Sequence, residues 1–149
     1  MGDWGAMFST HALPRAISDR AVYGYDPSFN VQAHLERMGS VLAGLKIGGL
    51  FGFGSKTPAQ IISDIARDHN VKAQYLLVVL DREQGLVSGM GSRLDPKKDR
   101  ARLTKALDWA TGYGAWHGTK ESAWDRGAMG FTAQLAGAFA AFQVLDLNV

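Results

Sequence analysis

The sequence predicts a mainly α fold, a single domain of about five to seven helices with little or no sheet. Three observations carry that prediction. Apolar residues recur at helical spacing in separate stretches, capping side chains or a proline open most of these, and glycine or asparagine closes them. The length of 149 residues suits one core, and 46% hydrophobic against 20% charged residues is the balance of a globular chain rather than a disordered one.

Residues 1–25 mix Gly, Pro and aromatics without periodicity and read as an irregular arm, with one short helix near Arg15 to Tyr23. Residues 26–149 read as the folded domain. Its first helix follows Asp26-Pro27-Ser28, either of whose side chains can cap free amides, with Val31, Leu35, Met38, Leu42 and Leu45 as the apolar stripe. The run from Val41 to Gly54 is too short and glycine-rich to span a bilayer, is interrupted by Lys46, and reads as a surface loop. Thr57-Pro58-Ala59-Gln60 then supplies an N-cap, a first-turn proline and the Gln of a capping box, ahead of Ile61, Ile62, Ile65 and Ala66. This second helix carries the clearest signals in the chain.

From Lys72 to Gln84 the apolar run is compatible with buried helix or strand. Its length, polar flanks and few β-branched residues favour helix, with Gly85 as the stop. Asp95-Pro96 opens another helix bearing Leu103, Ala106, Leu107 and Ala110 and closed by Gly112. The last begins near Ala128, with Phe131, Leu135, Phe139 and Phe142 inward.

Charge narrows the function classes. Sixteen Lys and Arg against fourteen Asp and Glu leave a net charge of +2, so no nucleic-acid partner is expected. Six cations fall between Arg93 and Lys105, but Asp95 and Asp99 lie among them, as on the solvated face of a helix. With no Cys, thiolate catalysis and Cys-ligated zinc are excluded. The four His are scattered without metal-ligand spacing, so neither metal nor cofactor is expected. The N-terminus lacks the basic start and apolar run of a signal peptide, and no stable membrane insertion is expected. GGLFGFGSKT resembles a phosphate-binding loop only superficially, because Lys56 follows Ser55 rather than a glycine and no strand is predicted before it.

The chemistry concentrates in two places. Glu83 ends the most apolar helix, in DREQG, where emergence from the core partly desolvates a carboxyl and disfavours its charged form. That suits a general acid for glycosidic bond cleavage, although a helix-terminal Glu is usually just solvated. GAMGFTAQL, residues 127–135, places Gly127 and Gly130 before a helix carrying Gln134, whose amide could meet a sugar; a tight turn with a close helix contact explains it equally well. Between the two lie Tyr113, Trp116 and Trp124, whose faces suit sugar rings or core packing alike.

Together these strings resemble the lytic transglycosylase and goose-type lysozyme group. The stretch IISDIARDHNVKAQYLLVVLDREQGLVSG is most similar to the lysozyme-like domains of haemagglutinin-related bacterial surface proteins and phage lytic proteins. The matching pieces are Asp81 to Gly85, Ala110 to Gly114 and Gly130 to Gln134, in family order, within a resemblance running from about Gln32 to Phe142. The resemblance implies a lysozyme-like catalytic domain acting on peptidoglycan glycan strands, with Glu83 as catalytic acid and Gln84, Tyr113, Trp116, Gly130 and Gln134 lining the sugar cleft. Three departures bear on the substrate contacts. The family's Ser after the acid is Gln84 here, the Gly-to-Gln string is one residue longer, and the segment after Gly114 lacks the cysteine pair.

A hydrolase would need a second carboxylate, from among Asp95, Asp99, Asp108, Glu121 and Asp125, whereas a lytic transglycosylase needs only the acid. One-acid cleavage of the MurNAc–GlcNAc β-1,4 bond is the favoured expectation, with muramidase activity second. The competing class is a non-catalytic glycan-binding structural or virion module that keeps the same fold. Three settings are expected for a short chain without a wall-binding repeat: a phage-encoded lytic or tail-associated protein, an effector delivered by another machine, or a domain excised from a larger surface protein; the first, with phage tail or virion proteins as partners, fits best.

Overall fold

The computed structural model describes residues 22–48, 54–115 and 119–137. Its α-helices are α1 (Val31–Arg37), α2 (Pro58–Asp68), α3 (Ala73–Gln84) and α4 (Arg100–Asp108), and residues 131–137 belong to α5. Among the described residues β pairing is confined to two isolated bridges, Tyr23 with Val71 and Ile47 with Lys56. The mainly α expectation therefore holds.

Helix α2 is the hub, packed against both α1 and α3. Its start is the predicted one: Thr57 Oγ1 accepts from the Gln60 amide and Gln60 Oε1 accepts from the Thr57 amide, closing the capping box with Pro58 inside the first turn. Ile61, Ile62, Ile65 and Ala66 are buried against Leu35 of α1 and Leu76 and Leu80 of α3 in one apolar cluster. Ala106 and Ala110 join that cluster from α4 and beyond, Phe131 and Leu135 from α5. Trp109, Ala115, Trp124 and Ala128 form a second, smaller cluster. The predicted inward positions Phe139 and Phe142 lie outside the described residues.

Three sequence expectations are corrected. The helix drawn through Leu45 breaks after Arg37, leaving Met38 exposed; Ser40 caps the Leu42 amide and donates its hydroxyl to the Leu86 carbonyl, so Val41–Gly44 becomes a separate 3-10 turn. Its start is capped by Asn30 rather than Asp26 or Ser28, which hydrogen-bond to each other instead. Helix α4 begins at Arg100 because Asp95 Oδ1 accepts the Lys97 and Lys98 amides and Asp99 Oδ2 accepts the Asp95 amide, closing a turn around Pro96.

The last residues of the expected N-terminal arm, 22–25, pack against the helices. Val22 belongs to the main core, Gly24 N donates to Asn70 O, Lys72 N donates to Val22 O, and Tyr25 N donates to Asn70 Oδ1. Residues 22–25 thus clasp the corner between α2 and α3. The predicted Arg15–Tyr23 helix lies outside the described residues apart from its end. The cations from Arg93 to Lys105 are all exposed, as a solvated face requires. No helix among the described residues is long and apolar enough to cross a membrane.

Candidate active site

Helix α3 supplies the central carboxyl. Leu76, Val79, Leu80 and Glu83 recur at the i, i+3, i+4, i+7 spacing and are all buried, so Glu83 occupies a position that the helical pattern assigns to the core. It is 7% exposed. A carboxyl there is a departure from the ordinary sorting of side chains, since ionisable groups are seldom buried without a role or a partner.

The chain leaves α3 through Gly85 in the left-handed conformation, φ 63°. The segment to Ser92 then folds back with backbone on backbone: a Cβ at Gly91 would overlap the Gln84 carbonyl oxygen, and Ser92 N donates to Gly85 O at 2.7 Å. Asp81, one helical turn before Gly85, fixes this loop. Its Oδ1 accepts the amides of Val87, Ser88 and Gly89, and its Oδ2 accepts the Ser88 hydroxyl at 2.6 Å. Partial burial works against ionisation of Asp81, but these four hydrogen bonds outweigh it and hold the carboxyl below its ordinary range. Glu83 therefore lies on the buried face of α3, two residues before the turn that opens this loop.

Gln84 faces another way. Its Nε2 donates to Trp109 O at 3.2 Å, and the residue lines a groove of about 670 Å³ with Met90, Gly91, Leu94, Arg102, Lys105, Ala106, Trp109 and Trp124. Trp109 and Trp124, both in that lining, meet edge to face at 5.0 Å. Glu83 is not among the residues that line this groove; it lies next to it in sequence, on the core side.

The third string meets the second through Gln134, which is fully buried. Its Oε1 accepts from Thr111 N and Thr111 Oγ1, and its Nε2 donates to Tyr113 O at 2.7 Å and to Ala128 O at 2.6 Å. Both amide hydrogens are thus committed to backbone carbonyls. The expectation that this amide meets a sugar is corrected: Gln134 braces the 111–113 segment against α5.

Tyr113 is the exposed part of that segment, 36% accessible, with its ring lying over Gly137 of α5, where a Cβ would overlap it. Gly130 has φ 108° and donates its amide to Asp108 O at 2.9 Å, and a Cβ there would meet nothing within 4 Å. Its glycine serves the turn into α5. Trp116 lies outside the described residues. The structure joins Gln84 to Trp109 and Gln134 to Thr111 and Tyr113, so the three strings converge, while Tyr113 and Gln134 stay off the groove that Gln84 lines.

The carboxylates considered as a second catalytic group have other engagements. Asp95 and Asp99 hold the turn before α4, Glu121 pairs with Lys105 at 3.1 Å, and Asp125 caps the Gly127 amide. Asp108 shares a different cavity with Glu121 and Arg126, where desolvation raises its pKa. Sequence reasoning missed Asp81, Thr111 and Trp109. Asp-x6-Ser-Gly after a glycine stop was the available signal for the first, whereas Thr111 and Trp109 acquire their roles only from tertiary contact.

Comparison with known proteins finds no match: no family model, no curated protein and no solved structure is significantly similar to the chain.

Proposed function

We propose that the protein is a peptidoglycan-degrading glycosidase of lysozyme-like fold, cleaving the MurNAc–GlcNAc β-1,4 bond with Glu83 as general acid and working as a lytic transglycosylase. The observation that carries this reading is Glu83 itself, a carboxyl on the buried stripe of α3, followed by Gln84 on a groove that Trp109 and Trp124 also line. The convergence of the three motif strings supports it, because the sequence resemblance requires them to meet.

In this chemistry the protonated Glu83 gives its proton to the glycosidic oxygen as the bond to the anomeric carbon breaks. The resulting carboxylate then takes the proton of the sugar's own 6-hydroxyl as that oxygen closes on the anomeric carbon, giving an anhydro ring and regenerating the acid. One carboxyl performs both transfers. The engagements of Asp95, Asp99, Glu121 and Asp125 support the one-acid route over a hydrolytic one, where a second carboxylate would stand opposite to activate water.

Digestion of purified peptidoglycan by wild-type protein and Glu83→Gln, with the released muropeptides read by mass spectrometry, tests the reading. Anhydro-muramyl ends that disappear in the variant are expected. Reducing ends that disappear in the variant would mean a muramidase. Release by neither protein, with both binding sacculi, would leave a non-catalytic glycan-binding module as the better account.

A further inference from the structure

One wall of the groove is cationic. Helix α4 turns Arg102, Lys105, Ala106 and Trp109 into it, at the i, i+3, i+4, i+7 spacing of a single helix face. The rest of the lining is Gln84, Met90, Gly91, Leu94 and Trp124, and no carboxylate is among the described residues lining the groove. The Arg102 and Lys105 side chains are 71% and 60% exposed. Arg102 approaches Asp99 at 4.0 Å, beyond hydrogen-bond length, and Lys105 uses one of its three donors on Glu121. From Trp109 to Arg102 is about two helical turns, or roughly 10 Å.

We propose, resting on the glycan-cleaving reading above, that Arg102 and Lys105 form a carboxylate-binding edge of the substrate groove, so that the protein selects glycan strands bearing acidic substituents. Such a carboxylate is supplied by the lactyl group of a muramyl unit or by the peptide that the unit carries. Exposed cations are suited to this task, because they give up little hydration until the ligand arrives and act through charge rather than shape. Glu121 restrains Lys105 from outside the groove and competes with the ligand for it.

Binding is measured by calorimetry in the Glu83→Gln background, so that no ligand is consumed, with and without Arg102→Gln plus Lys105→Gln. Three probes are used: an N-acetylglucosamine oligomer without carboxylates, peptide-stripped muramyl strands with only the lactyl carboxylate, and peptide-bearing strands. The double substitution is expected to weaken the peptide-bearing strands about tenfold, to leave the neutral oligomer unchanged, and to flatten the salt dependence of binding. A loss shared by stripped strands would assign the carboxylate to the lactyl group and still support the edge. Equal loss for all three probes, no loss for any, or no binding at all overturns it. Arg102→Gln alone, which leaves the Lys105–Glu121 pair intact, is the control against misfolding and should retain about half the effect on a logarithmic scale. Cleavage by protein with an intact Glu83 is assayed in parallel: if it releases nothing while the charge-selective binding persists, the catalytic reading fails and the edge remains.

Discussion

The side-chain amide of Gln134 and the backbone carbonyl of Tyr113 stand 2.7 Å apart, inside a cluster where Thr111 and Ala128 use the rest of the same amide. One buried side chain thereby serves three backbone groups that would otherwise be without water or partner. Replacing Gln134 with Leu should cost about 3 kcal/mol, since each buried polar group left unmet costs on the order of 1–3 kcal/mol. Thr111→Val, which keeps the amide bond from Thr111 N, should cost less, and the two substitutions together less than their sum. Urea denaturation of the four proteins measures all three; additive losses would show that the cluster does not act as a unit.

Asp81 makes acid stability a test of the loop after Glu83. Its folded-state pKa is depressed, while in the unfolded chain it sits near the ordinary value of about 3.9. Below that value the unfolded state holds the extra proton, so the stability contributed by Asp81 is present above about pH 4 and is lost as pH falls through the folded-state pKa. Asp26 and Asp95 are lowered in the same direction, so the comparison must be with a variant rather than with absolute midpoints. Asp81→Asn should lose stability near neutrality and show a shallower decline on acidification than wild type. Parallel acid limbs for the two proteins would sink this account.

For Asp108 the sign reverses. Desolvation raises its pKa, so its charged form is less welcome in the folded state and stability falls as pH rises from the unfolded value through the folded one. Asp108→Asn should therefore be more stable than wild type at pH 7 and no different at pH 3. Under one-acid chemistry it should also release muropeptides at the wild-type rate. Loss of release without loss of fold would make Asp108 the second carboxylate and turn the mechanism hydrolytic.

Gly137 and Tyr113 provide a paired test of the 111–113 segment. A Cβ at Gly137 would overlap the Tyr113 ring, so Gly137→Ala should destabilise by about 1–3 kcal/mol in the wild-type background. Without the ring, alanine is the better helix former, and the same change in a Tyr113→Ala background should be neutral or stabilising by up to about 1 kcal/mol. A sign that does not change between backgrounds would mean that the ring is seated elsewhere.

The elements legible in the sequence were those decided locally. The capping box at Thr57 and Gln60, the proline at 58 and the glycine stop at 85 depend on atoms within a few residues, and α2 and α3 fall where their signals place them. The first helix misled because its apolar spacing continues to Leu45, while the break is made by Ser40 reaching Leu86, a contact between residues distant in the chain. The start of α4 misled for a different reason: Asp95 has the side chain of a helix cap and uses it to close a turn. Glu83 stood out because it continues a core stripe, which periodicity can show. Gln134 was recognisable as important and misassigned in role, since whether an amide faces ligand or backbone depends on Thr111, Tyr113 and Ala128, none of which periodicity places beside it.

The fold of the Gly85–Ser92 segment also predicts which letters evolution can change. With the Gly91 Cα against the Gln84 carbonyl, and Gly85 and Gly89 in contact with each other, no side chain can enter at these positions without parting the two backbones. Met90, by contrast, is exposed, so a change there alters the groove it lines but not the packing of the two backbones. Diverged relatives should thus preserve Asp-x-Glu-Gln-Gly-x3-Gly-x-Gly while almost everything around it drifts, and that sparse signature, rather than overall identity, is what would lead from this chain to its kin.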